Sequence, residues 1–354
     1  MRRGLLIVLS VLMLVSCIRE EAPNTEADII SCILPPEILL RAPIITNEKV
    51  VVYVKEGVDL KGLAPEFAVS DGASIAPRSG TKRDFSTPQP YTVTSEDHHW
   101  SKVYTVEIGP MPVFTEFHFE DISGVTPGEP AYDVFVESKN GFSLEWSSGN
   151  AGYYISNSNA KAKDYPTCQA SGGVIGKCVK LETRSTGSLG QMFGAPIAAG
   201  NLFLGSFHLN LQDPLKSTHM GIPFFHKPKT LTGWYKYKAG TFSDGKKDTF
   251  DIYAVMFEST DEVQYLDGSN VLSSENLVLV ARLDGTERLE TDEWTRFEIP
   301  FEVANGKTID SDKLTKGGYN LSIVLSSSRD GASFNGAVGS TLYADELTLI
   351  LDEE

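Results

Sequence analysis

The chain has 354 residues, with Lys+Arg 31 against Asp+Glu 47 for a formal charge of −16, and it is 41% hydrophobic and 10% aromatic. That length supports two domains with cores of their own, and so much aromatic surface with charged residues held to 22% excludes a disordered acidic protein. No dense Lys/Arg run occurs and the acidic excess repels phosphate backbones, so the sequence points away from nucleic acid as a partner.

Met1-Arg2-Arg3 is a short basic start, followed by an apolar run over 4–15 and by Ser16-Cys17. These make residues 1–16 a secretory signal, too short to span a bilayer. Leu14-Val15-Ser16-Cys17 resembles a bacterial lipobox, which implies lipid on the Cys17 thiol and cleavage just before it. An ordinary signal peptide cut elsewhere would discard Cys17. Residues 17–28 read as a polar tether. Arg19-Glu20-Glu21 within it resembles the acidic signal that sends Bacteroidetes lipoproteins to the cell surface, and reads equally well as a solvated linker. No other stretch reaches 18 consecutive apolar residues, so the expected protein is held at the outer membrane by its lipid anchor alone.

Over 29–108 short apolar or alternating runs are punctuated by Pro, Gly, Asn and Asp, with strands expected at 50–54, 67–69, 91–93 and 100–108. This spacing predicts a small β-sandwich. Val69-Ser70-Asp71-Gly72-Ala73-Ser74-Ile75 and Tyr91-Thr92-Val93-Thr94-Ser95-Glu96-Asp97 resemble immunoglobulin-like modules at the N-termini of Bacteroidetes surface lipoproteins. Cys32, among Ile29, Ile30, Ile33 and Leu34, reads as a buried thiol. Gly109-Pro110-Met111-Pro112 then makes a stiff boundary, and 109–113 is taken as the linker.

From 114 to 354 the pattern is again all-β, about a dozen strands including 179–183, 231–237, 250–257, 277–281, 321–325 and 343–349, the size of an elaborated two-sheet jelly roll. Cys168 and Cys178 bracket a Gly-rich loop that a disulfide would close at little strain, leaving one of the three remaining cysteines free. Asp213-Pro214, Gly221-Ile222-Pro223-Phe224, Gly233-Trp234-Tyr235-Lys236-Tyr237, Asp251-Ile252-Tyr253-Ala254 and Ser326-Ser327-Ser328-Arg329-Asp330-Gly331-Ala332 follow in that order. With the run over 334–346 they resemble the "putative carbohydrate metabolism domain" family over about 114–351. The resemblance implies a jelly roll akin to carbohydrate-binding modules and a link to glycoside hydrolysis, without agreed catalytic residues.

The sequence lacks a His-Glu-x-x-His helix, a Gly-x-Ser-x-Gly elbow, a phosphate loop and a Cys-x-x-Cys pair, which argues against serine or zinc hydrolysis. His98 and His99 are adjacent in a hairpin and point apart, so a solvated turn is the better reading than a metal site. Sugar recognition needs aromatic planes beside fixed donors and acceptors. Period 2 puts Trp234, Lys236 and Lys238 on one strand face, opposite Gly233, Tyr235 and Tyr237, and gives Asp251 and Tyr253 a common face. Trp146, Trp234, Lys236 and Tyr253 are therefore the carbohydrate-binding candidates, core packing being the competing reading for each aromatic.

Glycosidases need two carboxyl groups about 5–9.5 Å apart. Glu182 with Asp251 is the pair to test, Lys180 and Arg184 holding Glu182 ionised as nucleophile or base unless the three form a solvated charge ladder. In carbohydrate-binding jelly rolls an acid after the first-strand Phe meets an Asp of the last strand at a calcium ion, and that resemblance nominates Glu120 and Asp345. Three functions rank in order: a surface lipoprotein whose second domain binds glycan, a glycoside hydrolase using the carboxylate pair, and a structural or adhesive surface protein.

Overall fold

The computed structural model describes residues 23–40, 42–55, 57–110, 112–123, 132–139 and 142–352. Cys17, the lipobox and the start of the tether lie outside the described residues. The chain divides into two compact units between Met111 and Pro112.

In the first unit a five-stranded sheet runs Ile44–Ile45, Lys49–Val54, Ser101–Pro110, Gln89–Thr94, Ser74–Ala76, and Ile29–Ile33 pairs separately with Glu66–Val69. Alternation builds the core: Val50, Val52 and Val54 point inward with Tyr91, Val93, Tyr104 and Val106, and Ile29, Cys32 and Phe67 join the same cluster. Lys49–Val54 runs parallel to Ser101–Pro110. The Cys32 thiol is pushed up to about 12 by burial, so it serves as a small hydrophobe.

The second unit is a jelly-roll β-sandwich. Its ten-stranded sheet follows the order Glu302–Val303, Leu277–Arg282, Asp251–Glu258, Tyr319–Ser326, Asn201–Phe207, Phe142–Ser147, Val134–Lys139, Asp121–Ser123. Thr218–Met220 and Ile222–Pro223 are attached beside it. The six-stranded sheet runs Thr167–Ser171, Lys177–Glu182, Thr341–Leu351, Pro228–Lys238, Thr291–Pro300, with Glu116–Phe117 on Thr341–Leu351. Short pairings such as Glu116–Phe117 and Glu302–Val303 carry the strand count past the dozen expected, because two residues are too few to show a period.

Alternation decides what each sheet face holds. Ile252, Ala254 and Met256 with Leu321, Ile323 and Leu325 meet Val179, Leu181, Leu231, Tyr235 and Leu347 in the core between the sheets. The intervening Tyr253, Val255, Phe257 and Val324 join Phe203, Met220 and Leu266 in a second cluster on the outer face of the ten-stranded sheet. Burial on both faces is why these two strands read as continuous apolar runs. Among the described residues, no helix is long and apolar enough to cross a membrane.

Two expectations are corrected here. Trp146 lies in the central core, 2% exposed, edge-on to Phe117 at 5.2 Å and tilted against Phe119 at 5.5 Å, so it has no ring face to offer a sugar. Its strand turns Phe142, Leu144 and Trp146 inward together. Cys168 and Cys178 are both free. They sit on paired strands but out of register, Cys168 opposite Lys180 and Cys178 opposite Ala170, and burial pushes their thiols up to about 11 and about 12.

Candidate functional site

A cavity of about 280 Å³ opens on the outer face of the ten-stranded sheet. Phe203, Tyr253 and Val324 come from three neighbouring strands of that sheet, and Tyr153 and Leu189 from the short helices Asn150–Ser156 and Gly187–Met192. The charged residues lining it are Asp251 and Arg329. The serine-rich motif before Arg329 is built into the sandwich. Ser328 Oγ donates to Asp248 Oδ2 at 2.6 Å, and Ser340 Oγ and the Ala337 N–H donate to the same oxygen at 2.7 and 2.8 Å. The Arg329 N–H donates to the Thr249 carbonyl at 2.7 Å. This hub turns the chain so that Arg329 lies in the cavity lining.

Asp251 and Tyr253 do share a face and both line the cavity. The Asp251 carboxylate is already engaged: Arg282 Nε lies 3.1 Å from both oxygens, Arg282 Nη2 lies 2.5 Å from Oδ2, and Arg288 Nη2 is 3.3 Å from Oδ1. Burial, and secondarily the Asp251 charge beneath it, push the Tyr253 hydroxyl well above the ordinary phenol range. Glu182 lies on the other sheet, where Lys180 Nζ and Arg184 Nη2 donate to its Oε2 at 2.5 and 3.0 Å. Among the described residues the two carboxylates share no cation and Glu182 is not in the lining of this cavity, so the nominated catalytic pair does not meet there, and Glu182 belongs to the charge ladder.

The outer face of the six-stranded sheet carries the other aromatic candidates. Trp234 is half-buried there, opposite Arg296 on one neighbouring strand and Asp345 on the other. Lys236 Nζ stands 4.5 Å from the Trp294 ring centroid and 5.3 Å from that of Tyr343. Trp294 and Tyr343 escaped the sequence reading. The signal for Tyr343 was its place two residues before Asp345 in a period-2 strand. Trp294 sits among acidic and hydroxyl residues and gave none.

Beside this face the segment between Thr167–Ser171 and Lys177–Glu182 folds around two carboxylates. Asp345 is fully buried at a β-bulge that also places Glu346 at φ 48°. Its Oδ2 accepts the N–H groups of Val174 and Ile175 at 2.6 and 3.2 Å, while Oδ1 is buried with no partner among the described residues. Burial raises its pKa to about 6. Glu120 Oε1 accepts the Lys177 N–H at 2.8 Å. Gly173 and Gly176 are required here. A Cβ on Gly173 would lie 2.3 Å from the Lys177 carbonyl oxygen and 2.6 Å from Asp345 Oδ2, and one on Gly176 2.1 Å from Glu120 Oε1. The unpartnered Oδ1 of Asp345 is an oxygen ligand of the kind a hard cation takes. Among the described residues no set of three or more His, Cys, Asp or Glu converges, so a calcium held by Asp345 and Glu120 would take its remaining ligands from carbonyls and water.

Residues 40–108 match the family model described as "SGBP, N-terminal". A crystallised putative glycoside hydrolase from Bacteroides thetaiotaomicron is 49% identical to this chain, with a TM-score of 0.78, covering 95% of this chain and 100% of its own. A second, from Bacteroides vulgatus, is 44% identical with a TM-score of 0.62, covering 67% of this chain and 98% of its own. No curated protein is significantly similar to the chain. Residues 118–350 match the model described as "Putative carbohydrate metabolism domain", and with these relatives the match shows that the chain belongs to that family.

Proposed function

We propose that this chain is a cell-surface lipoprotein that binds glycan through its second unit, on the outer face of the six-stranded sheet. One observation carries the reading: Trp234 is half-buried on the solvent side of its strand, on the same face as Lys236 and the Trp294 and Tyr343 rings. Aromatic planes beside a cation and strand-edge polar groups are what pyranose faces and hydroxyls need. Support comes from the first unit's match to the N-terminal model of SGBP, the surface glycan-binding proteins. The first unit, read as immunoglobulin-like, would space the binding unit from a membrane to which lipid on Cys17 attaches it. Cys17→Ser is expected to move the protein into the soluble fraction, and unchanged membrane partition would remove the anchor.

Binding is tested on a glycan array followed by calorimetry of the hits. Trp234→Ala should weaken affinity by about 5- to 150-fold with little change in Tm, because a stacking aromatic contributes at the interface rather than in the core. An array without hits, or a variant that binds as wild type, overturns the reading. The names of the Bacteroides relatives favour hydrolysis as the second reading. It requires a carboxylate pair other than Glu182 and Asp251, and sugar release by the purified protein would establish it.

We further propose that calcium sits between Asp345 and Glu120 and is structural. A ligand that binds the native state alone raises Tm by mass action, so millimolar calcium should raise the second unit's Tm by several degrees. Asp345→Asn should abolish the increment. A melting curve indifferent to calcium, in protein first stripped by chelator and shown to be metal-free, would sink the site.

A further inference from the structure

We infer that the cavity on the ten-stranded sheet is a second binding site, for a small aromatic carboxylate rather than for sugar. Four observations converge on it. The mouth is rimmed by large apolar side chains left in water: Phe193 is 61% exposed, Leu211 63%, Leu209 46% and Ile155 43%. A contiguous exposed apolar rim around a deep cavity marks a ligand site more often than chance packing. Inside, aromatic rings supply much of the wall, Phe203, Phe207 and Tyr253 among them, which gives a bound ring both edges and faces to meet.

Several polar groups of the lining are already committed to the protein. Asn201 Oδ1 accepts the Gly149 N–H at 2.7 Å, Ser326 Oγ donates to the Ser328 carbonyl at 2.7 Å, and Thr186 Oγ1 donates to the Ala195 carbonyl. Asp251 is held by Arg282. A pyranose placed here would strip water from several hydroxyls against a wall that is mostly apolar, a cost that apolar contact does not return. An aromatic ring has no such debt.

Charge fixes the other end of the ligand. Arg329 lines the cavity, and among the described residues its guanidinium has neither an ion pair nor a hydrogen bond. Arg329 is itself exposed to water, Asp330 is equally exposed but lies outside the lining, and Asp251 is taken by two other arginines. Among the described residues the lining therefore offers one free cation and no free anion, in a chain whose formal charge is −16. A carboxylate on a short arm from the ring pairs with Arg329 by a fork-to-fork hydrogen bond.

Calorimetry on the full chain with cinnamate, cinnamyl alcohol and octanoate tests this directly. Cinnamate should bind about tenfold or more tighter than the alcohol of the same shape, because a charge-assisted hydrogen bond separates them, and tighter than octanoate. Arg329→Ala should erase the difference between acid and alcohol while leaving alcohol binding and Tm as in wild type, and Arg329→Lys should restore part of it. Trp234→Ala should leave cinnamate binding intact, so the result stands or falls apart from the glycan reading. Equal binding of acid and alcohol overturns the anion assignment. Tighter octanoate overturns the aromatic one. No binding of any probe at millimolar concentration overturns the site.

Discussion

Asp251→Ala should destabilise the second unit by about 3–5 kcal/mol, since removing one partner of a buried ion pair leaves the other charge without its compensation. Here the loss is felt by two cations. Arg282 makes a bidentate contact, and the Arg288 side chain, only 5% exposed, faces the same carboxylate while donating its other bonds to the Leu283 carbonyl at 2.8 and 3.0 Å. Neither guanidinium can shed its proton to escape the penalty. Three of the four tryptophans, Trp146, Trp234 and Trp294, lie in the second unit, so urea unfolding followed by tryptophan fluorescence reports mainly on it. A midpoint unchanged from wild type would mean that the Asp251 cluster is not structural and would return this carboxylate to the catalytic candidates. The expected loss also carries a warning about enzymology: missing hydrolysis in an Asp251 variant identifies a catalytic group only if the variant is folded.

The strands of both units could be read from the sequence because a sheet with one wet face must alternate, and one buried on both faces must run apolar. The segments 50–54, 231–237 and 321–325 obey these rules and fold as expected. Face assignment on Pro228–Lys238 was legible for the same reason: Tyr235 and Tyr237 are in the core, and Trp234 and Lys236 are outside. Register was not legible. Nothing in the spacing of Cys168 and Cys178 says that their strands pair two residues out of step, and nothing near Asp251 in sequence announces Arg282 and Arg288, 31 and 37 residues on. The bulge at Asp345 has no composition signal, because a non-glycine residue, Glu346, takes the left-handed conformation. The cavity was invisible for a related reason. Its walls come from two short helices, several loops and five strands, and each contributes only a few residues.

Trp146→Ala is the mirror image of the Trp234 experiment. Trp146 packs edge-on to Phe117 and against Phe119 between the two sheets, and truncating a core tryptophan removes its transfer free energy and leaves a cavity, costing about 3–5 kcal/mol. For a unit of this size that is a fall in Tm of about 6–20 °C. Glycan affinity of the fraction that remains folded should be unchanged, because the side chain is 2% exposed and on neither outer face. Trp146→Phe sharpens the test. The indole Nε1 is buried without a hydrogen-bond partner among the described residues, so phenylalanine gives up some packing but no hydrogen bond and relieves an unsatisfied donor. Its cost should be about 1–2 kcal/mol, well below that of alanine. If the alanine variant instead melts like wild type and loses glycan, Trp146 is a ligand contact, and the assignment of its strand face is wrong.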